Sequence, residues 1–360
     1  MLIQSFFDTL RLIDRFEDYE QGMAAAHAFC HIYSKDTTLC LTEDFEEIRL
    51  SSELPLPVMA KCTMHGLYDK VNIRYRMSTG GCHYSAKLFG TKELPYDCGI
   101  LIPCDGGVVT VSDSCSFESS LLLPRGIYRG SISGCGEIES SPEFPDLLPQ
   151  VRNYLENIKE NLQIEDYVYL SASDTVPDRL ITARYVLVDS SFRSSVQIFA
   201  TDSVVVSNGA SLMYPSGISG DASRCTVRIE ENAMIEGYVV MTPMSGYSKH
   251  VVYAQSESSV LRGLVYVDGK AQLKGIISGA AYVRHPVEVT DKGEVQWSIS
   301  GLRQINNDSM AFPNIFGNNY ERKLIKDYEE YQSFESGISG GNYGGISNYD
   351  DNLFHFIKSN

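Results

Sequence analysis

The sequence predicts a mainly β protein with a parallel β-helix, or solenoid, in its second half, preceded by an N-terminal long helix and a β-rich first half. Three observations predict it. One short signature recurs along the chain. Residues 166 to about 300 are rich in Val, Ile, Ser, Thr and Gly and carry no helical period. Two other segments do carry one.

The signature is an aliphatic residue, three mostly polar ones, a small residue, any residue, then an apolar one. It stands at Val111-Ser-Asp-Ser-Cys115-Ser-Phe117, Val206-Ser-Asn-Gly-Ala210-Ser-Leu212, Ile229-Glu-Glu-Asn-Ala233-Met-Ile235, Val267-Asp-Gly-Lys-Ala271-Gln-Leu273 and Val289-Thr-Asp-Lys-Gly293-Glu-Val295. A weaker copy begins at Gln255 and ends at Leu261, and a degenerate one begins at Val188. Such a unit cannot bury its apolar ends alone, so units stack. The polar triplet is turn chemistry, and the small residue admits a tight corner. The step from 255 to 267 is too short for one full turn and fits two sides of the same turn. Ile235-Glu-Gly237-Tyr-Val239, Leu261-Arg-Gly263-Leu-Val265 and Leu273-Lys-Gly275-Ile-Ile277 extend the match. Ser-Ile-Ser-Gly relatives at 131–134, 217–220, 276–279, 298–301 and 337–340 read as further corner chemistry. The competing fold is a β-sandwich with periodic turns.

Five regions follow. Residues 1–35 are the N-terminal helix, with Phe6, Leu10 and Ile13 on one stripe, Met23, Ala26, Cys30 and Tyr33 on another, and Gly22 as the weak point between. Residues 36–145 are a β-rich domain of short apolar runs between turns such as Gly80-Gly81 and Asp105-Gly106-Gly107. Residues 146–165 hold a connecting helix, with Val151, Leu155, Ile158 and Leu162 on one face and Pro149 near its start. Residues 166–302 are the solenoid, and 303–360 a C-terminal extension whose Gly-, Ser-, Asn- and Tyr-rich tail over 336–352 reads as flexible.

Composition narrows function. Lysine and arginine total 30 against 46 acidic residues, a net charge of −16. That field repels phosphate backbones and anionic headgroups, so nucleic acid is not an expected partner. The nine cysteines form no CxxC pair, and Cys98 and Cys104 are poorly spaced for zinc. They read as reduced, buried residues, with a disulfide in the first half still open. No stretch reaches the roughly 20 apolar residues of a membrane span, and no signal peptide is evident. The expectation is a soluble chain, cytoplasmic unless an upstream anchor precedes it.

Phe199-Ala-Thr-Asp-Ser-Val-Val-Val, Leu212-Met-Tyr-Pro-Ser216, Gly263-Leu-Val-Tyr-Val267, Leu273-Lys-Gly275, Phe312-Pro-Asn-Ile-Phe-Gly317 and the stretch Leu121 to Gly134 resemble a set of uncharacterised cell-envelope proteins of Bacteroidetes-type bacteria. The resemblance spans roughly 100–320. Members begin with a pilin-like membrane helix, and this chain departs there. The solenoid is also similar in kind to bactofilins, polymer-forming bacterial scaffolds. The resemblance implies an elongated architecture in the cell envelope.

Candidate chemistry is sparse. Hexapeptide-type acyltransferases use a histidine between subunits, and His250 and His285 are the solenoid histidines; each reads better as a packing or surface residue. Carbohydrate-active enzymes on β-helices need clustered carboxylates. Asp221 with Arg224, Glu230 with Glu231, and Asp268 with Lys270 are candidates, though all fit solvated corners. Asp97-Cys98 and Asp105-Gly-Gly107 read as single turns; tyrosine is abundant, with Tyr343 and Tyr349 in the tail, and aromatics can stack on sugars, but packing is the plainer reading. Gly217-Ile-Ser-Gly-Asp221 is not a nucleophile elbow, and no P-loop or HExxH occurs. No catalytic, cofactor-binding or metal residue is assigned. The expected function is a non-enzymatic structural, adhesion or scaffold protein. Its expected partners are an envelope protein, a glycan, or another copy through the solenoid ends. A carbohydrate-active enzyme and an acyltransferase are the alternatives.

Overall fold

The computed structural model describes residues 2–36, 39, 41–49, 58–76, 82–103, 108–124, 128–129, 138–140, 142–161, 163–174, 179–246, 249–307, 309–317 and 320–330. The described residues are mainly β, with two helices, a five-stranded antiparallel sheet, a large, mainly parallel sheet and a small three-stranded parallel sheet.

The first helix, α1 (Leu2–Lys35), is continuous through Gly22, which is buried. At 1.5 Å per residue it is about 51 Å long. Ala25, Ala26, Phe29, Cys30 and Tyr33 bury one face against Val58, Ala60, Val71, Ile73, Tyr75 and Phe89 of the antiparallel sheet. Phe29 therefore belongs to the packed stripe and Met23 sits at its margin, because the sheet meets a face rotated slightly from the expected one. Ile13 is 48% exposed.

The antiparallel sheet runs Glu46–Ile48, Val58–His65, Tyr68–Arg76, Cys82–Thr91 and Arg322–Glu330. The two-residue turn Gly66-Leu67 joins its central hairpin, with His65 opposite Tyr68. Glycine suits the first turn position because φ is +59° there. The last strand lies directly beside Cys82–Thr91, with Arg322 opposite Thr91. Everything between 91 and 322 is thus an insertion between two neighbouring strands. Arg322 also closes α1. Its guanidinium donates to the carbonyls of Tyr33 (2.9 Å), Asp36 (2.9 Å) and Leu39 (3.0 Å) and lies 4.2 Å from the Tyr33 ring. A cation at a helix C-terminus meets unpaired carbonyls and the negative end of the dipole.

The insertion is dominated by parallel pairing. Leu170, Val188, Val206, Ile229 and Gln255 stand opposite one another in succession. Ser194, Leu212, Ile235, Leu261, Ile277 and Gln304 form a second such column. Long strands take different partners along their length. Val196–Val206 pairs with Ser211–Asp221 through residues 197–200 and with Thr226–Ile229 through 203–206. Val260–Gln272 likewise pairs with Met234–Thr242 and then with Val251–Gln255. Six strands thereby close a ring of pairings around an aliphatic interior.

Two repeat assignments shift. Ala254 stands opposite Gln272, so Leu273, not Val267, falls next in the column after Gln255. Val267 stands opposite Met241 in a different part of the sheet. Val289 pairs antiparallel with Glu294 in a hairpin that leaves the parallel array. Gly237, Gly263 and Gly279 stand in register, all at positive φ. Gly279, not Gly275, therefore stands third in this column.

The described strands of 36–145 divide among the antiparallel sheet, the large parallel sheet and the three-stranded one. Beyond Leu302–Ile305 the parallel array continues with chain from earlier in the sequence. Ile100–Leu101 pairs with Ala281 and Tyr282, Val109–Val111 with Ser298–Ile299, and Ser116–Phe117 with Arg303 and Gln304. Leu121–Leu123 and then Ile138–Ser140 add outward. The chain leaves the antiparallel sheet, lays these outer segments, returns along helix α2 (Pro149–Asn161), and winds from Glu165 back to the seam. The α2 face of Val151, Leu155 and Ile158 packs with Phe199, Tyr238, Val240, Leu264 and Tyr266 on the outer side of the parallel sheet. Leu162 and the 336–352 tail lie outside the described residues.

Candidate functional site

A cleft of about 460 Å³ opens at the seam. Its walls are the connector after Thr91, Ser119, the strand at Gly279 and Ala280, and the side chains of Asn306, Met310 and Phe312. Glu93 and Asp97 contribute exposed carboxylates, Tyr96 and Phe312 aromatic surface, and Asn306 and Ser119 a hydrogen-bonded pair. The connector is held in place because the Tyr282 hydroxyl donates to the Tyr96 carbonyl (3.0 Å) and Lys92 pairs with Glu321 (3.0 Å). Burial pushes the adjacent Cys98 thiol up to about 12, so it is a poor nucleophile. The lining suits a small polar ligand held by hydrogen bonds and one aromatic edge.

The carboxylates singled out in the sequence are engaged structurally. Asp221 is wholly buried and accepts from Lys159 of α2 at 2.7 Å, from Ser223 N–H at 3.0 Å and from Met244 N–H at 3.0 Å. Burial pushes its carboxyl up, but these donors together hold it below the ordinary range. Its expected neighbour Arg224 instead pairs with Asp202 at 3.1 Å. Asp268 pairs with Arg284 rather than Lys270, which reaches Glu294 at 2.7 Å. Glu230 accepts from Asn208 N–H at 3.2 Å, and Glu231 is exposed. His285 meets the Trp297 ring edge-on at 5.3 Å, and His250 is exposed. Neither Asp221 nor Asp268 pairs with the cation expected of it. Among the described residues, no three His, Cys, Asp or Glu side chains converge as metal ligands.

Sequence reading missed the cross-strand charges. Asp166, Arg184, Asp202 and Arg224 alternate along one edge, at 3.4, 3.2 and 3.1 Å. Arg262–Glu236 (2.7 Å) and Lys274–Glu257 (3.0 Å) repeat the device elsewhere. The signal was opposite charges 17 to 26 residues apart, visible only once the register is known. It also missed the outward tyrosines Tyr167, Tyr169 and Tyr185, which stand exposed on the first two strands of the array. Cys30, Cys98, Cys115 and Cys225 are buried free thiols, while Cys62 and Cys82 are half-buried free thiols. No helix of the described residues is long and apolar enough to cross a membrane. No family model, curated protein or solved structure matched this chain.

Proposed function

We propose that this chain is a non-enzymatic structural protein of a bacterial cell envelope, in which a parallel β-solenoid acts through its outer surface. In this reading the antiparallel sheet and α1 are the mount, and the 91-to-322 insertion is the displayed body. The observation that carries it is the way the insertion uses its charges. Its acidic and basic side chains bind across neighbouring turns, as in Asp166–Arg184–Asp202–Arg224, and Asp221 ties α2 to the body. Such pairs bridge neighbouring strands and occupy these carboxylates with cations. The resemblance over roughly 100–320 supports the envelope assignment. In fractionated source cells the protein is expected in the envelope fraction, and the purified chain is expected to release no reducing sugar from polysaccharides. Recovery in the cytosol alone would overturn the location.

A carbohydrate-active enzyme is the second reading, favoured by Glu93 and Asp97 on the walls of the seam cleft. It predicts polysaccharide turnover that is lost in Glu93→Gln or Asp97→Asn variants with unchanged melting temperature.

A further inference from the structure

The outward side of the strands Glu165–Leu170 and Arg179–Val188 is an aromatic surface. Tyr167 is 56% exposed, Tyr169 49% and Tyr185 42%. Tyr167 stands directly opposite Tyr185, so their Cα atoms are about 4.8 Å apart across the sheet. Tyr169 lies on the same face as Tyr167, about 6.6 Å further along its strand. Leu187, opposite Tyr169, and Val205, opposite Leu187, extend the surface. The inward residues of these strands, Val168, Leu170, Val186 and Val188, are buried, so the backbone under the rings is fixed.

Tyrosine is a good strand former, and single exposed tyrosines need no explanation. Here three cluster at one end of the array, while later positions of the Tyr167 and Tyr185 column are Ser203 and Thr226. Fixed polar groups bracket them. On one side run Asp166, Arg184 and Asp202, with the Arg184 guanidinium 5.4 Å from the Tyr185 ring. On the other, Asp189 lies beside Tyr169 and accepts from the Ser191 N–H at 2.9 Å and hydroxyl at 2.6 Å.

We infer that this face binds a neutral polysaccharide laid across the strands. A phenol offers an apolar face to the C–H side of a pyranose and a hydroxyl to its rim. The spacing between neighbouring strands is close to the length of one hexose unit, so consecutive sugars each meet a ring. The bordering carboxylates and guanidinium accept from and donate to sugar hydroxyls. The same carboxylates, within a net charge of −16, repel uronic-acid polymers and nucleic acid. This inference rests on the proposal that the body acts through its surface, and it names the partner.

The test is affinity electrophoresis of the full chain through gels holding hydroxyethyl cellulose, laminarin, mannan or dextran, with polygalacturonate as the acidic comparison. At least one neutral polymer is expected to slow the protein, and polygalacturonate is not. The Tyr167→Ala/Tyr185→Ala double variant is expected to lose about tenfold or more in affinity, and Tyr167→Phe to stay within about twofold. Far-ultraviolet circular dichroism and a thermal melt establish that the variants are folded. The inference fails if no neutral polymer slows the wild type, if the double variant is slowed equally, or if polygalacturonate is as effective. Binding accompanied by turnover would uphold the tyrosine surface and overturn the non-enzymatic reading. Absence of binding would remove the surface as a glycan site and leave the envelope assignment to cell fractionation.

Discussion

The carboxamide of Gln304 occupies the space in which a side chain on Gly99 would have to stand. The two residues come from opposite ends of the insertion, and their contact seals the seam between segments that are out of sequence order. Gln304 is fully buried. Its oxygen accepts from the N–H groups of Glu118 (3.2 Å) and Ser119 (3.0 Å), and its nitrogen reaches the Gly279 carbonyl (3.0 Å).

The seam gives the first prediction. Gln304→Ala removes the partner of the Ser119 N–H and of the buried Gly279 carbonyl and leaves a cavity, and should cost about 2–4 kcal/mol. Gly99→Ala should cost about 1–3 kcal/mol by displacing the carboxamide. In the double variant the new methyl enters space that the first substitution vacates. The combined loss should fall short of the sum by about 1 kcal/mol or more in urea denaturation. Strict additivity would mean that the two do not share the seam.

The glycine column gives the second. A Cβ on Gly263 would overlap the carbonyl oxygen of Gly237 in the neighbouring strand, at a φ of +131°. Backbone cannot yield as a side chain can, so Gly263→Ala should cost more than about 3 kcal/mol. Gly209 also has positive φ, +76°, but a Cβ there meets nothing within 4 Å. Gly209→Ala should therefore cost only the left-handed backbone penalty, about 1–2 kcal/mol. Equal losses at the two sites would show that φ alone, rather than the close approach of strands, decides.

These positions also show what was legible in the sequence. The copies at Val206–Leu212 and Ile229–Ile235 lie in register because each carries its own turn and its own inward ends. The Val111 copy reads the same way; it joins the array through Ser116 and Phe117 opposite Arg303 and Gln304, while Val111 stands opposite Ile299 in the three-stranded sheet. What a local pattern lacks is the identity of the neighbour. Nothing around Ser116-Phe117 specifies that Arg303-Gln304 will lie beside it, so the seam and its cleft stayed hidden. Val289 satisfied the signature by composition, yet its Thr-Asp-Lys-Gly turn closes a hairpin. The terminal strand beside Thr91 was equally opaque, since pairing across 230 intervening residues leaves no periodic trace.

The bond between Lys159 and Asp221 supplies a prediction on α2. Asp221 is fully buried, and Lys159 is 29% exposed. Removing the ammonium in Lys159→Met strands a buried carboxylate and should cost about 2–4 kcal/mol at pH 7. Adding Asp221→Asn should restore part of that loss, because the uncompensated charge disappears. The sign with pH follows from the depressed carboxyl pKa. Its contribution is present above the unfolded value near 4 and is lost as pH falls through the folded value. The gap between wild type and Lys159→Met, measured by thermal melts from pH 7 to pH 3, should therefore close on acidification.

Asp69 gives the opposite slope. Burial pushes its carboxyl up to about 6, against the pull of Arg322 and a hydrogen bond from Asn314. The folded state thus holds the proton more tightly than the unfolded chain. The resulting stabilisation is fully present below about pH 4 and is lost as pH rises through 6. Ionising Asp69 near pH 7.5 should cost on the order of 3 kcal/mol. Asp69→Asn removes that cost while Arg322 keeps its three carbonyl partners at the end of α1. The variant should melt higher than wild type at pH 7.5 and within a degree or two of it at pH 4. If it melts lower at pH 7.5, the attraction between Asp69 and Arg322 outweighs desolvation, and the carboxylate is a fixed counter-ion to the cation that closes the helix.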